Sequence, residues 1–192
     1  MLNVNIILGS TREDRAGEKI FSWLKKELSG YRDMQVTFID LYDWQLPFLD
    51  DIRSLPIGSQ REQVIQKWAE IIDKADGYIF VTPEYNHGYS AVLKNAIDHL
   101  DKEWNNKPAG FVGYGGVAGG SRAVEQLRQV VIELQMAPIR EQVLIPLIWQ
   151  AFDGEGNLLD KNAKKKLPEM LDQLLWWAKA LQVARNKTPL NF

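Results

Sequence analysis

The 192-residue chain contains no cysteine. That excludes disulfides, thiolate nucleophiles and cysteine-ligated metal clusters together. Histidine is nearly as scarce. His87 and His99 are the only two, and their separation has no zinc-like spacing, so no metal site is expected. Long apolar runs are lacking too: none approaches the ~18 residues of a membrane span. No basic leader or cleavage site precedes the first apolar run, Val4 to Leu8. A cytoplasmic chain with no membrane contact is the expectation. Nor is there an excess of positive charge. The formal net charge of −2 gives no reason to expect a nucleic-acid partner. What remains is an ordinary globular composition, 45% apolar and 25% charged, on a chain long enough for one full core. A single domain over residues 1–192 is expected.

Val4 to Leu8 ends in Gly9 and reads as a strand buried on both faces. Ile20, Phe21, Leu24 and Leu28 then recur at helical spacing. Further strands are expected at Val36 to Leu41, Tyr78 to Val81 and Ala109 to Gly113. A fifth is expected within Val143 to Ile148, where Pro146 suits it to a sheet edge. Helices alternate with them. Ser59 and Glu62 have capping-box spacing ahead of Val64, Ile65, Trp68, Ile71 and Ile72. Leu93, Ala96, Ile97, Leu100 and Trp104 form the next apolar face, and Leu127, Val131 and Leu134 the one after. A last helix begins near Asp160, and Pro168 either kinks it or marks its first turn. Trp176 and Trp177 on it are expected in core and interface contacts. A long stretch from Tyr42 to Gly58, apolar for a loop, hints at an interface.

Five alternations of strand and helix predict one α/β three-layer sandwich. Right-handed crossovers with one reversal give a five-stranded parallel sheet in the order 2-1-3-4-5. The loops after strands 1 and 3 then face each other across the crevice where such folds bind ligands.

The loop after strand 3 runs Thr82-Pro83-Glu84-Tyr85-Asn86-His87-Gly88-Tyr89-Ser90. Pro83 ends the strand, the backbone amides from Glu84 to Gly88 follow, and Gly88 is free to take a positive φ. Tyr85 and Tyr89 are apolar plates with polar tips. Alone, the loop reads equally as a seat for a flat heteroaromatic ligand and as a Pro/Gly turn with surface tyrosines. The loop after strand 1 carries Ser10, Thr11, Arg12 and Arg15 just before a helix. Hydroxyls, guanidinium groups and helix-end amides make a phosphate site, although Ser and Thr there also serve as ordinary N-caps. Two arginines on so short a loop favour phosphate. Gly113-Tyr114-Gly115-Gly116-Val117-Ala118 fits G-x-G-x-x-A but follows strand 4, the wrong turn for a dinucleotide fingerprint. Its glycines suit close backbone approach to a ligand edge. Arg122 serves a ligand or pairs with Glu125. His87 touches a ligand or stands exposed at the turn. Glu84 has no nucleophile partner, so no catalytic side chain is assigned.

With these loops in hand, the chain resembles the NADPH-dependent FMN reductase family, a flavodoxin-like group. The resemblance rests on Gly9-Ser10-Thr11-Arg12, Pro83-Glu84-Tyr85-Asn86-His87-Gly88 and Leu93-Lys94-Asn95-Ala96-Ile97-Asp98. Gly115-Gly116 to Gly119-Gly120, with Arg122 and Leu127-Arg128, adds to it. It implies bound FMN, its phosphate held by Ser10, Thr11, Arg12 and Arg15. Pro83, Glu84, Tyr85 and Asn86 would lie along the isoalloxazine, with Gly115 and Gly116 approaching the same edge and His87 counted among the cofactor-binding residues. It also implies NADPH or NADH as co-substrate and a homodimer or homotetramer. The family often has a serine and an asparagine late in the first loop, where this chain has Ala16-Gly17-Glu18. Flavin would carry the chemistry, taking hydride from NAD(P)H and reducing a small-molecule acceptor: a flavin, quinone, azo compound or metal ion. A flavodoxin-type electron carrier and a flavin-binding regulatory domain are the alternatives without turnover.

Overall fold

The computed structural model describes residues 1–50 and 58–188. Its centre is a parallel sheet of β1 (Leu2–Leu8), β2 (Met34–Asp40), β3 (Gly77–Pro83) and β4 (Pro108–Tyr114). The order is β2-β1-β3-β4, with a fifth strand beside β4, as the alternation of elements predicts. Val4 pairs with Val36 on one side and Gly77 on the other, and Ile79 with Gly110. The residues from Tyr78 to Val81 are fully buried, which explains why their run carries no polar alternation.

The fifth strand is the one correction to the sheet. It is broken into β5 (Ala137–Pro138), paired with the start of β4, and β6 (Val143–Ile145), paired with its end. Between them the Arg128 guanidinium donates to the carbonyls of Ile139 and Arg140 and to Gln142 Oε1. A side chain thus replaces the missing ladder. Pro146 follows β6 directly, where it ends the strand.

Helices α1 (Gly17–Leu28) and α6 (Lys161–Lys187) cover one face, with Ile20, Leu24, Met170 and Leu174 in its core. The one-turn α2 (Leu41–Trp44), α3 (Gln60–Asp73), α4 (Ala91–Asp98) and α5 (Ser121–Glu133) cover the other. That core is aromatic. Trp68, Trp104, Tyr78, Phe80 and Phe111 meet edge to face or stacked, and the polar tips of Trp68 and Trp104 donate to the carbonyls of Ala96 and Ile97. Ser59 caps α3 as expected, but Glu62 reaches back to the amide of Gly58 rather than to that of Ser59. Asp160 caps α6, so Pro168 lies inside that helix. Trp176 and Trp177 are exposed on α6 and take no part in the core.

The long Tyr42–Gly58 stretch is anchored from α4. Asn95 and His99 both bond the carbonyl of Pro47, and the Leu49 amide donates to Asn95 Oδ1. His99 is thereby a structural residue. Residues 51–57 of the stretch lie outside the described residues.

Candidate active site

Because β1 and β3 are neighbours, the loops that leave them emerge side by side. Three contacts fasten them together. Gly9 N donates to Val81 O at 2.9 Å, Ser90 Oγ donates to the carbonyl of Gly9, and Ser10 Oγ lies 2.9 Å from Tyr85 Oη. Gly9 allows this approach, since a Cβ there would stand 2.9 Å from Leu93 Cδ2. Ser90 also caps α4 by accepting from Leu93 N.

In the first loop, the preceding residue of α1 is Ala16 and no side chain caps the helix. Ser10 and Thr11 are therefore not N-caps. Among the described residues, the amides of Ser10, Thr11 and Arg12 have no acceptor. A helix head with open amides attracts an anion. Ser10 is buried and Arg12 exposed, its guanidinium 5.6 Å from the centre of the Tyr85 ring. Arg15 faces inward instead. Its guanidinium is 2.5 Å from Asp40 Oδ2, donates to the Ser10 carbonyl and to Glu18, and lies over the Tyr42 ring. With its side chain only 6% exposed, Arg15 shapes the loop and adds positive potential. Glu18 is turned toward Arg15 and solvent.

The third loop is tighter than its sequence suggests. Tyr85 and Gly88 exchange backbone hydrogen bonds, and the two residues between them take positive φ, 48° at Asn86 and 72° at His87. Gly88, though free to take a positive φ, does not. The turn thus places at two side-chain-bearing residues a conformation that usually selects Asn-Gly. Gln126 steadies it through the carbonyl of His87. The expected row of amides is correspondingly shorter. Those of Glu84, Tyr85 and Gly88 are bonded internally, which leaves Asn86 and His87 open among the described residues. Tyr85 belongs to the site; Tyr89 packs on the aromatic core.

Glu84 has a role the sequence did not disclose. Its carboxylate accepts from the backbone amide of Arg122 at 3.2 Å and from its Nε at 2.6 Å. It caps α5, whose preceding residue is Gly120 and has no side chain to do so. Arg122 is held here rather than by Glu125. Gly115 packs against Glu84 and Gly116 meets only the edge of Trp149, while Gly119 and Gly120 take the positive φ that the turn requires. Tyr114, at the end of β4, sends its hydroxyl beneath the head of α1. That oxygen is buried with no hydrogen-bond partner among the described residues. Burial foremost, and then Tyr85, raise its pKa, while Ser10, Arg15 and Arg12 pull the other way.

A cavity of about 380 Å³ opens beside these loops, lined on one side by Ser10, Thr11, Arg12 and Tyr85 and on the other by Leu46 and Phe48. Leu46 and Phe48 were not among the site residues named from sequence. A hydroxyl, a guanidinium and free amides at one end, beside an aromatic plate and two open turn amides, fit a flat ligand carrying a phosphate. Among the described residues no three acidic or histidine side chains group to hold a metal. None of their helices is long and apolar enough to cross a membrane.

Comparison with known proteins identifies the family. The family model for NADPH-dependent FMN reductase matches residues 2–150. An NAD(P)H-dependent FMN reductase of Schizosaccharomyces pombe is 37% identical over 145 residues, 73% of this chain and 72% of that protein. The NADPH:quinone oxidoreductase of Arabidopsis thaliana is 32% identical over 155 residues, 78% of this chain and 77% of its own. Among solved structures, the flavoenzyme FerB of Paracoccus denitrificans superposes with a TM-score of 0.73 at 23% identity, covering 94% of this chain and 98% of that one, which bears on the fold. The chain belongs to the NADPH-dependent FMN reductase family and is an NAD(P)H-dependent flavin oxidoreductase, with FMN as its cofactor.

Proposed function

We propose that the chain passes electrons from NAD(P)H to a quinone, with free flavin, azo compounds and metal ions as further acceptors, from a flavin seated between its first and third loops. The observation that carries this reading is the pairing of Ser10 and Tyr85 beside an uncapped α1, which joins an anion seat to an aromatic plate. Ser10, Thr11 and Arg12 would hold the phosphate, with Arg15 bracing their loop. Pro83, Glu84 and Tyr85 would set the ring's position, and the amides of Asn86 and His87 would face its polar edge. Gly116, bordered only by Trp149, would approach the ring, and the absence of a side chain at Gly115 leaves room for Glu84. Bound FMN supplies the hydride and electron transfer, which accounts for a site without a catalytic dyad. Open donors at the ring's polar edge would favour the negative charge that reduction brings.

A second copy of the chain completes the proposal as a homodimer or homotetramer. Tyr42, Phe48 and Leu49 are 52%, 83% and 54% exposed, an apolar rim beside the cavity that a partner subunit would cover. Light scattering that gave a monomer would contradict this. A cytoplasmic setting, where NAD(P)H is supplied, belongs to the same reading and is tested by fractionating cells that express the tagged chain. The activity itself is tested anaerobically. NADPH or NADH should bleach the visible band of the FMN-loaded protein, and adding a benzoquinone should restore it. A band that neither nucleotide bleaches would contradict the proposal, and bleaching that quinone leaves unreversed would remove quinones as acceptor.

A further inference from the structure

Two exposed apolar side chains flank the glycine turn after β4. Val117 is 86% exposed and Trp149 70%. Trp149 lies in the single turn Ile148–Gln150 that follows β6, and backbone bonds tie that segment to the glycine turn. Leu147 N donates to Gly116 O and Ile148 N to Gly115 O, both at 3.0 Å, while Gly115 N donates to Ile145 O at 3.3 Å. Leu147 takes a φ of 47°, a left-handed conformation that a leucine keeps only where its surroundings hold it. The backbone that carries the indole is thereby fixed beside Gly116. A Cβ on Gly116 would stand 3.9 Å from Trp149 Cη2, the only atom outside its chain neighbours within 4 Å among the described residues. An exposed tryptophan keeps a large apolar face in water, and a flat ring laid against it removes that face from water. The surroundings select the kind of ring. Residues 113–121 and 143–152 contain no charged side chain, and Arg122, next along the chain, is engaged by Glu84. The phosphates of a dinucleotide would find no cation on either segment. An uncharged ring needs none.

We infer that Trp149 is a specificity-determining residue, its indole the wall against which the ring of the quinone acceptor lies beside the flavin. This rests on the flavin site proposed above, in which Gly116 approaches the flavin ring. Trp149 does not line the cavity at the phosphate end, so its effect falls on the acceptor and not on the hold of FMN.

The test compares Trp149→Ala and Trp149→Phe with the wild type, all loaded with FMN. Calorimetry measures menadione binding to the oxidised protein, where no turnover occurs. Anaerobic stopped flow measures reoxidation of the NADPH-reduced protein by menadione and by ferricyanide. Trp149→Ala should weaken menadione binding and raise its KM about tenfold, the size of a lost stacking contact with its buried area. Trp149→Phe should restore most of both. Ferricyanide, small and highly charged with no flat face, should reoxidise all three proteins at one rate. FMN affinity, the KM for NADPH and the melting temperature should match the wild type. Unchanged menadione binding would overturn the inference, as would an equal loss with menadione and ferricyanide. A raised KM for NADPH would overturn it by assigning the indole to the nicotinamide. A smaller oligomer of Trp149→Ala in light scattering, or failure of that variant to fold, would overturn it by making the indole a structural contact. A wild type that NADPH does not bleach, or that menadione does not reoxidise, would instead overturn the underlying function.

Discussion

The two ends of the parallel sheet treat buried polar groups in opposite ways. At the amino end, Lys107 Nζ enters the interior and donates to the carbonyls of Ile72, Asp73 and Glu103 while contacting Tyr78 Oη. Asp76 accepts there from the Asn3 amide, Gln182 and Arg185, the last of these reaching from α6. Every donor is matched, and the cluster ties α3, β3, β4 and α6 together. At the carboxyl end the opposite holds. Loop amides are open, α1 is uncapped, and Tyr114 Oη has no partner among the described residues. One end spends its polar groups on the fold, and the other leaves several of them open, as the proposed flavin site requires.

The sharpest way to break this contrast is Lys107→Met. It would strand buried carbonyls and cost about 3 kcal/mol of unfolding free energy in urea, while leaving FMN affinity at the wild-type value. A change in flavin affinity of the same size would mean that the ends are coupled. Arg12→Ala should do the converse. Flavin fluorescence should show FMN affinity falling by about 1.5–3 kcal/mol, one charge-assisted contact, with unfolding changed by less than about 0.5 kcal/mol. Glu84→Gln probes a carboxyl-end group that is already satisfied. Losing its charge at the head of α5 should cost about 1 kcal/mol in urea unfolding, and full stability would contradict the capping role.

The smallest effect is a pH dependence. Burial, opposed chiefly by Asp73, pushes the Lys107 pKa from 10.5 down to about 8. Between those values the unfolded chain binds more protons, so this lysine's contribution to stability rises with pH. It is present in full above the unfolded value and is lost as pH falls through about 8. The difference in unfolding free energy between wild type and Lys107→Met should therefore drift in favour of the wild type from pH 8 to pH 9.5. A flat difference would show that the lysine titrates as it does in the unfolded chain.

Local patterns carried the fold. The apolar runs of β1 and β3, the Ser59 cap and the Asp160 cap were all legible because each depends on residues within one or two turns. β5 was not, since a strand of two residues leaves no periodicity to read, and the guanidinium that bonds the residues after it comes from α5. The same division runs through the candidate site. Ser10, Thr11, Arg12 and Tyr85 could be named from their loops, and the structure brings them to one cavity. What those loops spend on themselves could not be read. Arg15 is captured by Asp40, 25 residues on, and Arg122 by Glu84, 38 residues back. The left-handed residues are Asn86 and His87 because the exchange of bonds between Tyr85 and Gly88 fixes the turn, whatever the freedom of the glycine. Tyr114 gave no signal beyond its place at a strand end.

The division of labour between the two ends is tested most directly by titrating FMN into the wild type, Arg12→Ala and Lys107→Met under one set of conditions, followed by flavin fluorescence. Weakened binding in Arg12→Ala alone, with Lys107→Met indistinguishable from wild type, is the expected result. Equal affinity in all three proteins would contradict an anion seat at the carboxyl end of the sheet.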